Sequence, residues 1–528
     1  MPTTYHVDPN GSDDAAGTAP EDAWRSVGRV GSFDFSPGDQ VLFKRGGLWR
    51  ERLTIPSDGI VIDAYGADGD PPLLSAADIV TGWRPIPPAF VANHAGDPGN
   101  QVLHNGKRLR KVAVRRQLKP GTFFWDRDSS LIHVMLPDGA DPRSGVMEVS
   151  ARDHAGLLVR RKDVQIRNIR FHHAREFNLY LTGGCERVTV DACDFRLSDG
   201  SGFVATCWGP IQGDVTVAQP DIAVLNCTAA FNHGIGIIGG NNCHRMLISH
   251  CVAHHNATLA DGEEYSANIR IISDFVEGTM EMALNRPARC VIEHCVSYAA
   301  GRDETGEIVV TGERGHGIWL DTVGANSEIR YCVSHDNAKA GIYYEWGGPR
   351  CFGRVHHNVS YRNETGVLLS RRTTGCVVDH NTCWGNVHNL TITGEHGGER
   401  SAYGFHDNVV CDNIGLAPSP GGTNFRAFHG AENLGNGSGN KYFRNCWGVE
   451  GRGFVEWGAG RRLDRYVALE SAYGSKMFNI ETDPQLVDPP ADFSLKPSSP
   501  CVGAAFPPNS PNPAAGLEAR TGDNIGAL

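Results

Sequence analysis

Short phrases of alternating apolar and polar residues recur through the second half of the chain at a nearly constant spacing. Each phrase carries a cysteine or an asparagine, and the successive positions are Cys227, Cys251, Cys295, Cys332, Asn358, Asn381 and Asn408. The intervals between them are 24, 44, 37, 26, 23 and 27 residues, so a base period of about 24 residues is interrupted by two longer coils. Alternation with a period of two predicts strands rather than helices.

A second short strand follows each phrase after a turn of small residues. The copies begin at a glycine or an asparagine and span 234–238, 268–272, 317–321, 341–345, 366–370 and 389–393. A repeat of this length made of short strands is typical of a parallel β solenoid, whose coils stack ~4.8 Å apart. We therefore predict an all-β parallel β-helix. Its aligned asparagines should hydrogen-bond from coil to coil, and its cysteines should be small buried residues.

The segments outside the repeat are predicted to cap or interrupt the solenoid. Near the start, a helix that opens at Pro20 and includes Trp24 and Val27 is expected to cover the open end, as terminal repeats require. Turn signals between strand-like runs then predict a small inserted β subdomain. The predicted divisions are the cap with the first coils at 1–79, the inserted subdomain at 80–150, the β-helix core at 151–480, and the exit strand and tail at 481–528.

Composition and charge exclude several classes of protein. The formal net charge of −11 is opposite in sign to that of a protein that wraps nucleic acid. No apolar run approaches the ~18 residues of a membrane span. We therefore expect neither nucleic acid nor a membrane as a partner. Fifteen cysteines, an odd number without closely spaced pairs, argue against a disulfide framework and a zinc site. We expect no metal and no cofactor. The first residues lack a leader pattern, which favours a cytoplasmic protein; secretion after removal of a leader is the alternative.

Several phrases resemble those of a known group of proteins. The opening run at 5–13, with 37–41 and 44–47, is similar to the N-terminus of right-handed parallel β-helix (pectin-lyase-like) proteins, and 105–126 and 483–500 match the same group. The resemblance covers essentially the whole chain. It implies a right-handed parallel β-helix that acts on carbohydrate. The group includes hydrolases, lyases, epimerases and tailspikes, so the function must be argued from the site.

Strand parity locates a candidate site on the second set of strands. If Ile318 and Leu320 face inward, Asp321 faces outward, and Glu345 occupies the same place on the next coil, 24 residues later. The two carboxylates are therefore predicted to be neighbours on one exposed face. Carboxyl groups ~5–5.5 Å apart suit a retaining glycosidase, and the like charges raise the pKa of one of them. Ordinary solvated side chains on an exposed sheet are the alternative.

The residues around this pair suit a sugar. Exposed aromatic rings provide flat apolar surfaces, and charged groups can bind hydroxyls or acids. Insertions at 257–266, 274–288 and 299–314 fall in the coils around this face and are expected to form cleft walls. The predicted substrate-binding residues are Arg270, Asp274, His316, Trp319, Tyr343, Trp346 and Arg372.

The segment also resembles the β-helix β-xylosidase family, which has its nucleophile and its acid/base on consecutive coils. That resemblance implies Asp321 as nucleophile and Glu345 as acid/base. We therefore predict a retaining, exo-acting glycoside hydrolase whose partner is an oligo- or polysaccharide. Loss of either acid should abolish turnover and leave thermal unfolding nearly unchanged. A lyase or epimerase acting on a uronic-acid glycan, using Arg270, His316, Tyr343 or Arg372, is the first alternative. A non-catalytic glycan-binding or tailspike-like module is the second.

Overall fold

The computed structural model consists almost entirely of β-strands. It describes residues 1–206, 217–258, 266–273, 287–346, 351–371, 373–394, 405–428, 439–458, 460–505 and 524–527. The chain forms two compact units. The first contains Met1–Ala205 and Asn226–Ile237, and the second contains Thr206–Leu225 and Ile238–Leu528. The division falls within the strand Ile237–Gly239.

Three parallel sheets form the frame of the first unit, and successive strands of the chain join the three sheets in turn. This is the coil of a solenoid, in which each turn adds one strand to every sheet. Across the sheets the strands are Thr4–Val7, Gln40–Lys44, Val61–Tyr65, Gln165–Arg167 and Thr189–Asp191; Leu48–Trp49, Leu73–Ser75, Arg170–His172, Asp194–Arg196 and Thr228–Ala230; and Leu53–Thr54, His154–Val159, Phe177–Thr182 and Ser201–Ala205.

Two further sheets in this unit, mainly antiparallel, lie in the region of the predicted insertion. They enclose a core of their own that includes Phe123, Ile132 and Val134. Three short 3₁₀ turns, Arg115–Gln117, Pro137–Gly139 and Pro142–Ser144, connect their strands. The strands, in order across each sheet, are Lys107–Arg108, Val102–His104, Met147–Ser150 and Ala77–Ile79; and Arg110–Lys111, Thr122–Asp126, Leu131–Met135, Ala89–Asn93 and Arg84–Ile86.

The N-terminal helix differs from the prediction. A 3₁₀ turn at Pro20–Asp22 is separated from a one-turn helix at Val27–Gly31, whose first turn is capped by the Ser26 side chain. Trp24 lies between them in extended backbone that pairs with Val7. The expected single helix through Trp24 is therefore wrong, because this residue is used for strand pairing and its ring is fully buried.

The second unit contains three parallel sheets of the same kind, which carry the candidate site. A helix at Tyr466–Tyr473 and a hairpin of Leu486–Asp488 with Asp492–Leu495 follow them. No helix in the described part of the chain is long and apolar enough to cross a membrane. The parallel strands are Ala223–Leu225, Leu247–Ser249, Val291–Glu293, Glu328–Arg330, Arg354–His356, Val377–Asp379, Val409–Cys411 and Lys441–Phe443; Val252–His254, Val296–Tyr298, Val333–His335, Val359–Tyr361, Thr382–Trp384 and Ile414–Leu416; and Ser266–Ile272, Arg314–Asp321, Ala340–Glu345, Thr365–Ser370, His388–Thr393, Thr423–Phe428 and Val455–Trp457, with Arg462–Leu463 pairing antiparallel to the last.

Cysteines and asparagines form one continuous column at a turn of the coils, as predicted. The Cys295 thiol donates to the carbonyl of Ile248 on the preceding coil, and Cys332 donates to Ile292 in the same way. Further along, side-chain amides replace the thiols. Each amide donates to the next at 2.9 Å, through Asn358, Asn381, Asn413 and Asn445. All fourteen described cysteines are buried.

The last copy of the repeat is shifted from its predicted position. Asn381 bonds to Asn413, and strand pairing aligns Asp379 with Cys411, so the interval here is 32 residues rather than 27. Asn408 belongs to another column, in which its side chain accepts from the Cys376 backbone. The sequence is ambiguous at this point because an asparagine lies at each end of the strand Val409–Cys411, and either one fits the phrase.

A second asparagine column lies beside the sheet that carries the site. Asn337 donates to Asn363 at 2.9 Å, and Asn363 donates to Asn386 at 3.0 Å. Glycine near the start of the neighbouring strand leaves room for this column. A Cβ atom on Gly341 would lie 2.3 Å from the Ser360 hydroxyl and 2.5 Å from the Asn363 amide nitrogen. The glycine-led strand pattern thus reflects the space that the buried amides occupy.

Candidate active site

The two predicted acids are neighbours across adjacent coils. Strand pairing places Asp321 opposite Glu345, and Trp319 opposite Tyr343. On the preceding coil Arg270 pairs with Trp319. Because the strands are parallel and in register, each outward side chain lies over its counterpart one coil away. The predicted stacking of the acids is confirmed.

The expected exposure of this face is wrong. Trp319 is 1% exposed and Tyr343 is 4% exposed, and the two acids are also buried. The rings stack on each other with centroids 5.0 Å apart, and the Arg270 guanidinium lies 4.3 Å from the centre of the Trp319 ring. The side chains of this face therefore cover one another and do not form an open platform.

Asp321 is held in a buried ion pair. Arg270 donates from Nη2 to Oδ2 of Asp321 at 2.6 Å, and both side chains are at least 90% buried. The Thr322 hydroxyl donates to the other oxygen, Oδ1, at 2.7 Å. These two bonds, one to each oxygen, hold the carboxyl group of Asp321 in a fixed orientation.

Glu345 lies in a different environment, and its pKa is raised to about 8. Burial is the larger cause, because it disfavours the charged form, and the neighbouring Asp321 charge is the second. Arg371, whose Nε lies 2.6 Å from Oε1 of Glu345, opposes the rise without cancelling it. A hydrogen bond with the Tyr343 hydroxyl also lowers the pKa of Glu345. The same hydroxyl lies 2.9 Å from the Ser370 hydroxyl. At neutral pH Glu345 therefore retains its proton.

Arg371 is a site residue that the sequence prediction left out of the substrate-binding set. It follows Ser370, the residue that pairs with Glu345, and its guanidinium lies 5.2 Å from the centre of the buried Trp346 ring. The register of the strands could have identified Arg371. It follows Ser370 as Trp346 follows Glu345, so Arg371 and Trp346 are neighbours on adjacent coils. Asp274 and Arg372, two of the predicted substrate-binding residues, lie outside the described residues.

His316 is buried within the aromatic cluster. Its ring lies 4.7 Å from Trp319 and 5.0 Å from Tyr343, and burial lowers its pKa. Nδ1 accepts a bond from the backbone N–H of Ala340 at 3.2 Å, so the neutral ring carries its proton on Nε2. Nε2 lies 3.5 Å from Oε2 of Glu313. Glu313 was also missed from the sequence, because it lies in an insertion without strand periodicity.

In the described part of the chain, no group of three or more His, Cys, Asp or Glu side chains is arranged to hold a metal ion. In the adjacent histidine pair His254 and His255, the two Nδ1 atoms lie 2.9 Å apart, and the ring of His254 stacks on Tyr298.

The shifted pKa of Glu345 should make stability depend on pH. Between its ordinary value of 4.5 and about 8, the folded chain binds a proton that the unfolded chain has released. Unfolding is then favoured as pH rises, and the free energy of unfolding should fall by up to about 1.4 kcal/mol per pH unit in this window. Glu345→Gln, which cannot ionise, should show a shallower decline.

Chemical denaturation at pH 5 and pH 8 measures this difference between the two proteins. Glu364→Gln is the matched control. It removes an exposed carboxylate that bonds to Lys339, and its pH dependence should follow the wild type. If the free energy of unfolding changes equally with pH in the wild type and in Glu345→Gln, Glu345 is already ionised at pH 5.

Comparisons with known proteins agree with this architecture. Residues 143–276 and 282–383 match the model of the right handed beta helix region. The chain folds as a right-handed parallel β-helix. No curated protein sequence matches this β-helix chain.

Several solved structures share this β-helix fold. A structure of XylC with xylose is 13% identical, with a TM-score of 0.60 over 92% of this chain and 87% of that one. A glycoside hydrolase is 13% identical, with a TM-score of 0.51 over 84% and 96% of the two chains. The pectate lyase Pel9A is 12% identical, with a TM-score of 0.51 over 100% and 96%. At such identities the likeness is one of fold.

Proposed function

We propose that this β-helix is a carbohydrate-active enzyme, and within that class a retaining glycoside hydrolase. Asp321 is the nucleophile and Glu345 is the acid/base. The observation that carries the proposal is the contrast between two adjacent carboxyl groups. Asp321 is ion-paired with Arg270, whereas Glu345 is buried and its pKa is raised to about 8. Paired acids whose environments separate their protonation states are what glycoside cleavage requires.

The first step is cleavage of the glycosidic bond. Glu345 donates its proton to the oxygen that links the sugar to the leaving group, while an Asp321 oxygen attacks the anomeric carbon. The bond to the leaving group breaks, its hydroxyl departs, and a glycosyl ester to Asp321 forms. Arg270 and Thr322 fix the orientation of the attacking carboxylate through the bonds described above.

The second step releases the sugar. The Glu345 carboxylate, now ionised, takes a proton from a water molecule whose oxygen attacks the same carbon. The ester to Asp321 breaks, which restores both acids to their starting forms. Arg371, bonded to Glu345 at 2.6 Å, stabilises the charge that Glu345 carries between the steps. Two displacements at one carbon give net retention of its configuration.

The spacing of the coils supports retention. Asp321 and Glu345 are paired residues of adjacent parallel strands, whose backbones are ~4.8 Å apart. Acids on adjacent coils can therefore reach the ~5–5.5 Å separation of the carboxyl groups in a retaining enzyme. Of the structures that share this fold, one is a glycoside hydrolase and another is XylC in complex with xylose. A sugar substrate is consistent with both.

Hydrolysis of 4-nitrophenyl glycosides tests this function. A panel of neutral and uronic sugars in both anomeric forms should include at least one that the protein cleaves. Proton NMR of the first product should show the anomeric configuration of the substrate. An inverted product would overturn the nucleophile role of Asp321 and make it a general base. Cleavage of a uronate polymer to an unsaturated sugar would identify a lyase, and no product from any glycan would favour a binding module.

A further inference from the structure

Glu313 lies where the insertion at 299–314 joins the strand Arg314–Asp321, and its side chain is 54% exposed. Gly312 and Gly315 flank it in left-handed backbone, with φ of +67° and +87°. A Cβ atom on Gly315 would lie 2.9 Å from Cβ of Ala338, so the chain here packs closely against the next coil. These contacts hold the backbone in place on the Gly315 side of Glu313.

His316 lies directly beside the Glu313 side chain. Its ring is 1% exposed and cannot turn freely, because Trp319 and Tyr343 pack against it and the Ala340 N–H occupies Nδ1. Nε2, which carries the proton, lies 3.5 Å from Oε2 of Glu313. The same ring thus contacts the aromatic residues beside both acids and faces a third carboxylate.

Two arginines of the site already contact the other two carboxyl groups. Arg270 is ion-paired with Asp321, and Arg371 lies 2.6 Å from Glu345. Glu313 lies within electrostatic reach of Arg371, and its pKa is lowered, first by His316. Lys339, the other cation near Glu313, is bonded to Glu364.

We propose that Glu313, oriented by His316, is a specificity-determining residue of this site. Its carboxylate accepts hydrogen bonds from the hydroxyl groups of a bound sugar and disfavours a sugar that carries a carboxylate. An exposed carboxylate with unused lone pairs is a strong acceptor for hydroxyls, and a second carboxylate placed near it is repelled. The proposal rests on the proposed function only in taking a sugar as the ligand of the site.

Two sugars that differ in charge test this proposal. D-Xylose and D-glucuronate share their configuration from C2 to C4, but only the latter has a carboxylate on C5. Isothermal titration calorimetry should show that the wild type binds D-xylose more tightly than D-glucuronate. In Glu313→Gln, D-xylose should bind about tenfold more weakly, because a charged acceptor is replaced by a neutral one. D-Glucuronate should bind no more weakly than before, so the preference should fall about tenfold or more.

Glu364→Gln is the control, since it removes an exposed carboxylate from the same sheet and should bind both sugars as the wild type does. Thermal unfolding of each variant verifies its fold. An unchanged preference in Glu313→Gln would overturn the proposal, as would a wild type that prefers D-glucuronate or binds neither sugar. Binding requires no turnover. If the sugar preference changes as expected but no glycoside is cleaved, the role of Glu313 stands and the hydrolase proposal is rejected. If a glycoside is cleaved but Glu313→Gln leaves the preference unchanged, the hydrolase proposal stands and the role of Glu313 is rejected.

Discussion

Replacement of Asp321 by asparagine should lower kcat by at least about 1,000-fold on any glycoside that the wild-type chain cleaves. The amide cannot form the glycosyl ester, so the first displacement fails even though the side chain keeps its shape. Initial rates on the best 4-nitrophenyl glycoside measure the loss. A variant that keeps more than a tenth of the wild-type kcat would show that Asp321 is not the nucleophile.

The same substitution should also destabilise the protein, contrary to the expectation from sequence. The Arg270 guanidinium would remain buried without its anionic partner, and breaking a buried pair in this way costs about 3–5 kcal/mol. The double variant Arg270→Met/Asp321→Asn should recover part of that loss, because the buried guanidinium charge is removed.

Glu345→Gln provides the matched comparison for this effect. It should also lose turnover, but it replaces a group that is neutral in the folded chain, so its unfolding near pH 4.5, where the unfolded chain also keeps much of this proton, should stay close to that of the wild type. If the stabilities of the three variants are equal, the ion pair between Arg270 and Asp321 contributes little to folding. The kinetic role of Asp321 would then still be judged from the rates.

Asn363→Ala should lower the free energy of unfolding by about 3–5 kcal/mol. The Asn363 side chain accepts from the backbone and the amide of Asn337 at 2.9 Å, and it donates to Asn386 and to the Ser334 carbonyl. Removal of the side chain leaves these four buried groups without their partner and opens a cavity in the column. The loss should appear in guanidinium-induced unfolding followed by circular dichroism.

Asn93→Ala is the control for this measurement, because Asn93 is exposed at the end of a strand. Its free energy of unfolding should lie within about 0.5 kcal/mol of that of the wild type. Equal stability of Asn363→Ala and Asn93→Ala would mean that water or a local rearrangement replaces the bonds of the column.

The repeat made much of this architecture predictable. A period of about 24 residues predicts which residues share a column, and it correctly aligned Asp321 with Glu345 and Trp319 with Tyr343. The asparagine bonds followed from the same periodicity. The prediction failed at Asn408, where two asparagines five residues apart both fit the pattern, and only strand pairing selects Asn413.

Burial and the contacts made by the insertions could not be predicted in the same way. Parity identifies the face on which Trp319 and Tyr343 lie, but it does not reveal that they stack together beneath a guanidinium. Glu313 lies in a segment without periodicity, so no alignment of the repeats places it beside His316. Such contacts depend on how loops and long side chains fold over the sheet, which a short repeat does not encode.

Because Asp321 and Glu345 are paired on adjacent strands, the distance between the two acids does not depend on the number of residues between them in the chain. Hydrogen bonds between adjacent strands set that distance, while the intervening residues form two other strands and the turns that connect them. Turns can therefore lengthen, shorten or change sequence without displacing the reactive pair. For protein engineering, this means that the walls of the site can be exchanged as cassettes on a fixed catalytic frame.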